Sequence, residues 1–306
     1  MSLSYKITGA GFNWLSQAFP KKTLISPLAM FANATPSHAG LVAQGIISAD
    51  GTIMPSALAV LKVLSEPDAY SRIKILGTNS AVDKITYFLK DSTCSVDAEA
   101  DAFMVSFPAM SKEATFVMEE FSGSSRITNC SVNAKLSKLQ SLVFLAIVDI
   151  IRSRALMLLA GEQSDLACTI EQILYGANRN SSYFSLARGL KDLTSPAEIT
   201  LEAVTTALSG LIAKNLVSER DGKYLLVGDA LELATNFLIP EYWFNITYGR
   251  MMPDNLLQKS ECNVAFCGMH NLLYIELDGE NVDIETISGS ELIQIIANAM
   301  TSAPPA

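Results

Sequence analysis

Apolar and polar positions follow one order twice in this chain. Leu41-Val-Ala-Gln-Gly45-Ile-Ile-Ser-Ala-Asp50-Gly51 is answered by Leu211-Ile-Ala-Lys-Asn215-Leu-Val-Ser-Glu-Arg-Asp221-Gly222, with one residue inserted. Ala57 to Tyr70 is answered in turn by Ala230 to Trp243. The matching positions are those that set backbone shape. Residues up to Gln44 and Lys214 read as helix ends. Gly45 and Asn215 then stand where a left-handed residue closes a helix, a conformation these two side chains tolerate best. Ile46-Ile47 and Leu216-Val217 suit the start of a strand, and Asp50-Gly51 and Asp221-Gly222 are hairpin turns. Helical spacing returns after each turn, with Leu58, Leu61 and Leu64 predicted on one face of the first copy. Pro67 and Pro240 stop those helices, because proline lacks the donor a helix interior needs. Helix, cap, strand, turn, strand, helix and proline is the order of a winged helix-turn-helix unit.

Further on, alternation predicts strands at Arg72–Ile75 and Asn245–Tyr248, then at Thr86–Leu89 and Val264–Phe266, Ala102–Phe107 and Leu272–Leu277, and Arg126–Val132 and Val282–Ile287. A closing helix follows each set, one from Asn133 onward and one from Ser290 to Met300. The predicted fold class is α+β: two tandem pseudo-symmetric repeats, each a winged-helix-like unit followed by an antiparallel sheet of about four strands and a closing helix. The repeats are expected over residues 1–135 and 196–306, with a helical connector over 136–195.

In the connector, Asn133 to Gly161 reads as one long helix. Its apolar core, Leu142–Ile151, is interrupted by Asp149 and followed by Arg152 and Arg154. It is too short and too charged for a membrane span and reads as a buried helix. Shorter helices are expected at Glu171–Tyr175, Phe184–Leu190 and Ala197–Ile199, the last behind an N-cap at Thr194-Ser-Pro196.

Composition adds limits. Hydrophobic residues make up 49% of 306 positions and charged ones 17%, enough for a large core. The net charge is -9, with a concentration between Asp91 and Glu120, where seven acidic residues face Lys112 alone; a solvated face explains it. Five scattered cysteines, Cys94, Cys130, Cys168, Cys262 and Cys267, read as free thiols of a cytoplasmic protein. The opening Met1–Lys6 leads into no signal-peptide pattern.

A search for chemistry returns little. His38 and His270 have no metal-ligand spacing to a cysteine or carboxylate, and Cys262 and Cys267 stand five apart, outside the usual zinc patterns. Gly-rich phosphate loops and nucleophile elbows are missing from the sequence. No catalytic residue, cofactor or metal is expected, and the protein reads as a non-enzyme. DNA binding needs basic side chains against several phosphates. Ser37–Gln44 has no lysine or arginine, and Thr200–Asn215 has Lys214 offset by Glu202. A nucleic-acid partner is therefore disfavoured, as is a membrane. What remains is protein binding. Tyr242, Trp243, Phe244, Tyr248, Met251 and Met252 form the candidate docking surface, since aromatics and methionine are enriched at interfaces. The apolar surplus also suits a homodimer.

The segment Leu41–Ile75 resembles the first half of the EspG family, the cytosolic accessory proteins of type VII secretion. The residues that carry the resemblance are Leu41, Gly45, Ile46-Ile47, Asp50-Gly51, Leu58, Leu61, Leu64, Pro67 and the strand Arg72–Ile75. It implies a sheet-rich centre with helical subdomains and a non-enzymatic chaperone that caps a helical tip of secreted protein pairs. Family members are richer in alanine and arginine than this chain, and no substrate-contacting residue carries across. The expected function is a non-enzymatic cytosolic protein-binding module, chaperone or secretion accessory; the alternative is a winged-helix DNA-binding transcription regulator.

Overall fold

The computed structural model describes residues 2–30, 34–77, 81–109, 119–121, 123, 126–179, 185–187, 190, 199–236, 239–268 and 271–301. His270, three residues of the helix expected at Phe184–Leu190 (184, 188 and 189) and the N-cap at Thr194–Pro196 lie outside them. The chain is α+β. It forms β1 (Leu3–Thr8), α1 (Gly9–Ala18), a 3-10 turn (Pro27–Ala29), α2 (Ala39–Ala43), α3 (Pro55–Ser65), and the strands β2 (Ala69–Gly77), β3 (Ala81–Leu89), β4 (Ser92–Ala98) and β5 (Ala102–Phe107). Then come β6 (Asn133–Ser137), α4 (Lys138–Leu159), β7 (Cys168–Thr169), α5 (Ile170–Asn178), α6 (Leu201–Ala213), β8 (Val217–Arg220), β9 (Lys223–Leu226) and α7 (Asp229–Asn236). The chain continues with β10 (Tyr242–Met251), β11 (Leu257–Cys267), β12 (Leu272–Asp278), β13 (Asn281–Ile287) and α8 (Gly289–Thr301). Contacts divide it into two compact units, Met1–Glu120 with Asn245–Cys262 and Ile293–Ala306, and Phe121–Phe244 with Asn263–Leu292. Each unit draws on separated stretches of chain, whereas the repeat pattern divides the sequence consecutively.

In the first unit the antiparallel strands run in the order β1-β5-β4-β3-β2. Tyr5, Ile7, Tyr87, Cys94, Val96 and Val105 from the strands meet Phe12, Leu15, Leu41, Val60, Leu61 and Leu64 from the helices in one buried cluster. The helix α3 buries Ala57, Val60, Leu61, Val63 and Leu64, but Leu58 is 53% exposed, so it leaves the face expected of it. A step of three residues drifts around a 3.6-residue turn, and the core stripe follows Ala57, Val60/Leu61 and Leu64 instead. Gly45 takes φ 66° behind α2, and the hairpin expected around Asp50-Gly51 is a single bridge, Ile47 to Ile53.

In the second unit the strands run β11-β12-β13-β6, with Val282 opposite Leu277 on one side and Leu136 on the other. The long helix expected from Asn133 starts later. Alternating burial makes Asn133–Ser137 a strand, and Ser137 then opens α4 with a capping box, its hydroxyl accepting from the Gln140 N–H. Arg126–Val132, expected as a strand, forms none. Its backbone bonds individually instead: the Val132 N–H donates to Thr286 Oγ1 at 3.1 Å and the Asn129 N–H to Asn271 Oδ1 at 2.9 Å. The β8–β9 hairpin turns through Asp221 (φ 54°) and Gly222 (φ 72°), and β7 joins it in the order β7-β9-β8.

Asn215 closes α6 at φ 56°, and the next amide, Leu216 N–H, reaches back to Leu211 O at 3.0 Å. Left-handed backbone penalises a β-branched side chain. Asn215→Val is therefore expected to cost about 1–2 kcal/mol, and Asn215→Gly to be neutral within about 1 kcal/mol, read from urea midpoints.

Candidate functional site

The second unit is organised around α4. Every residue from Ser141 to Val148 is buried, and the helix packs on α5, α6 and α7. Beyond Asp149 only the stripe Ile151, Arg152, Ala155 stays buried, at the spacing of one helix face. The end of the helix emerges, and between it and α5 lies a cleft of about 750 Å3. Gly176 of α5 faces Ile150 and Ala146 of α4 at the base of the cleft, where a Cβ would stand in ordinary contact, 3.4 Å from the Ile150 side chain.

The lining is in part apolar. Leu156, Met157, Tyr175 and Ile239 line the cleft and are 37, 45, 63 and 53% exposed, with Pro240 beside them. Large apolar side chains grouped in this way mark an interaction surface. Charged side chains line the cleft as well. The carboxylate of Asp149 faces Arg152 Nη2 at 3.0 Å, the two side chains being 17 and 8% exposed. It also accepts from Ser185 Oγ at 2.6 Å and from the Leu186 and Ala187 amides at 3.0 and 3.2 Å. Burial pushes the Asp149 carboxyl up from its ordinary value, against the pull of Arg152 and these donors.

Arg154, two residues on, reaches the other way. Its Nη1 donates to Ala167 O at 2.7 Å and its Nη2 to Gln172 Oε1 at 2.8 Å. Gln172 is also the third residue of the capping box that opens α5 at Thr169, so one side chain fixes both the helix start and the arginine. The Cys168 thiol beside it is pushed up to about 11 by burial, leaving a structural, protonated thiol. Arg179 caps the far end of α5, with its guanidinium 5.8 Å from the Tyr175 ring centre.

The aromatic stretch expected to dock a partner is placed differently. Phe244 is fully buried and belongs to the core. Strand alternation sets Trp243 on the face opposite Tyr242 and Phe244. Trp243 stacks on Phe266 at 6.1 Å, and Tyr242 meets Phe121 edge-on at 5.1 Å. Tyr248 and Met251 are half-buried, and Met252 is exposed. Of the cleft residues, the sequence singled out Asp149, Arg152, Arg154 and Pro240, but as the limit of an apolar run and a helix stop. Leu156, Met157, Tyr175 and Ile239 carried no local signal, because nothing in an apolar side chain's neighbours along the chain tells that it stays uncovered. Among the described residues no helix is long and apolar enough to cross a membrane.

No protein-family model and no curated protein matches the sequence. A solved structure of the Mycobacterium tuberculosis type VII secretion system chaperone EspG5, in complex with a PE25–PPE41 dimer, is similar over 100% of this chain and 97% of the compared one, at TM-score 0.52 and 12% identity. At that identity the likeness is one of fold, and this chain shares its fold with a secretion chaperone.

Proposed function

We propose that the protein is a non-enzymatic, cytosolic protein-binding module of the chaperone or secretion-accessory kind, and that the partner seats in the cleft between α4 and α5. The observation that carries the reading is the apolar group: four large side chains, each more than a third exposed, three of them (Leu156, Met157 and Tyr175) towards the ends of the capping-box helices α4 and α5 and the fourth, Ile239, between α7 and β10. The fold shared with EspG5, a chaperone solved with a bound protein dimer, supports it. We read the run α4-β7-α5-α6-β8-β9, with its sheet order β7-β9-β8, as winged-helix order, and the left-handed residues at Gly45 and Asn215 as marks of a duplicated unit. In such a unit α6 would be the DNA-reading helix. Its exposed face presents Glu202, Thr205, Thr206, Ser209 and Ile212, with Lys214 at its end, and so lacks the positive charge that duplex binding requires.

The test is a photo-crosslinking residue placed at Met157 in the producing cell, with exposed Asp254 as the control position. A discrete protein adduct at Met157, absent at Asp254 and lost when Ile239→Asp is added, is the expected result. A self-adduct identifies a second copy of the chain as the occupant. No adduct above the control position overturns the reading.

A further inference from the structure

We propose that the cleft selects an acidic segment, one in which carboxylates alternate with large apolar side chains. The inference rests on the docking reading and adds the sign of charge. Among the described residues, the charged ones lining the cleft are Asp149 and three arginines, 152, 154 and 179, a surplus of positive charge in a chain whose net charge is -9. Lysine outnumbers arginine in the sequence, 14 to 8, yet each of these cations is an arginine. A guanidinium holds its charge at all working pH and offers paired donors matching the two oxygens of a carboxylate, which a lysine ammonium does not.

The charges divide into two roles. Asp149 is spent on Arg152, Ser185 and two amides, so that pair is internally balanced. Two further guanidinium groups stand on either side of Tyr175 along α5: Arg154, whose donors go to Ala167 O and Gln172 Oε1 and whose charge also acts on Asp165, and Arg179, which caps the helix end and lies over the Tyr175 ring. A guanidinium lying over an aromatic face keeps its in-plane donors for a ligand. Leu156, Met157 and Ile239 line the same cleft. A small anion would leave those apolar side chains in water, and a basic segment would meet like charge. A chain alternating acidic and large apolar residues satisfies both groups, and like-charge exclusion then supplies the selectivity.

Three labelled synthetic peptides of equal length test this by fluorescence anisotropy against the full chain: one of leucine and glutamate, one of leucine and lysine, one of serine and glutamate. The leucine–glutamate peptide is expected to bind at least about tenfold more tightly than either other, and to weaken as salt is raised. Arg179→Glu should remove about tenfold of that affinity with an unchanged melting curve, since its side chain is exposed and only its backbone caps α5; Arg179→Lys should recover part of it. Equal binding of the glutamate and lysine peptides, insensitivity to Arg179→Glu, or no binding of the leucine–glutamate peptide overturns the inference. Met157→Asp separates the two readings. If it abolishes binding while Arg179→Glu does not, the docking cleft stands and its charge selectivity falls. If Met157→Asp leaves binding intact, the peptide is elsewhere and the docking reading fails with it.

Discussion

Asp149→Ala is expected to destabilise the second unit by about 3–5 kcal/mol, read as a lowered urea midpoint, a larger effect than removing any ion pair exposed on the surface. The cost has two parts. The carboxylate ties α4 to the segment Ser185–Ala187 through one hydroxyl and two amides, and those donors lose their acceptor together. Arg152, 8% exposed, stays where it is and loses the carboxylate 3.0 Å away. A buried charge that loses its nearest carboxylate costs more than the pair contributed. The double substitution Asp149→Leu with Arg152→Met is expected to recover most of the charge-related loss and to leave only the cost of the orphaned Ser185, Leu186 and Ala187 donors. The raised Asp149 value agrees with this view: burial outweighs the partners, so the pair is poorly repaid as a source of stability. The sign follows from linkage. A carboxyl whose folded value lies above its unfolded one favours folding below the unfolded value, and that contribution fades as pH rises through the folded value. If the double variant is no more stable than Asp149→Ala alone, the stranded charge is not the main term.

The contrast between Asp149 and its surroundings also explains what the sequence disclosed and what it hid. Backbone rules acted locally and were legible. Gly45, Asn215, Asp221 and Gly222 all take positive φ where their side chains allow it, and the hydrophobic run Leu142–Ile151 is a buried helix. Two errors came from period and length. Asn133–Ser137 alternates for only five residues before Ser137 starts a helix, and a short strand joined without a break to a long helix reads as more helix. Arg126–Val132 has the composition of a strand but spends its amides on Thr286 and Asn271, partners about 140 to 160 positions away. The site was legible only as an anomaly. Asp149 and Arg152 stand three apart, a spacing at which helix side chains meet, but in the sequence they marked only the limit of an apolar run. Within the aromatic stretch at Tyr242–Met252, Phe244 went to the core, because composition says that a side chain is adhesive without saying which side of a strand it occupies. Conversely, the cleft joins Leu156, Tyr175 and Ile239 from three separate stretches, and nothing local could bring them together.

A loss of the same size is expected from Phe144→Ala, about 3–5 kcal/mol by urea unfolding, with no loss expected from Met157→Ala beyond about 0.5 kcal/mol. Both residues lie on α4, and nothing in their helix propensity separates them. Phe144 is fully buried within a run of eight residues, Ser141 to Val148, that the second unit encloses on all sides. Truncating it removes an aromatic side chain and leaves a cavity that α5, α6 and α7, each pinned by other contacts with α4, can close only in part. Met157 is 45% exposed on the rim of the cleft, so alanine there removes little that the fold uses. Partner binding should order the two variants the other way per unit of stability lost: Met157→Ala weakens capture while folding normally, and Phe144→Ala binds in proportion to the fraction still folded. One helix would then hold the two tasks in sequence, a buried half that sets the structure and an emergent half that meets the partner. Equal unfolding midpoints for the two variants would show that α4 is not divided in this way, and the cleft would lose the rigid wall on which its proposed role depends.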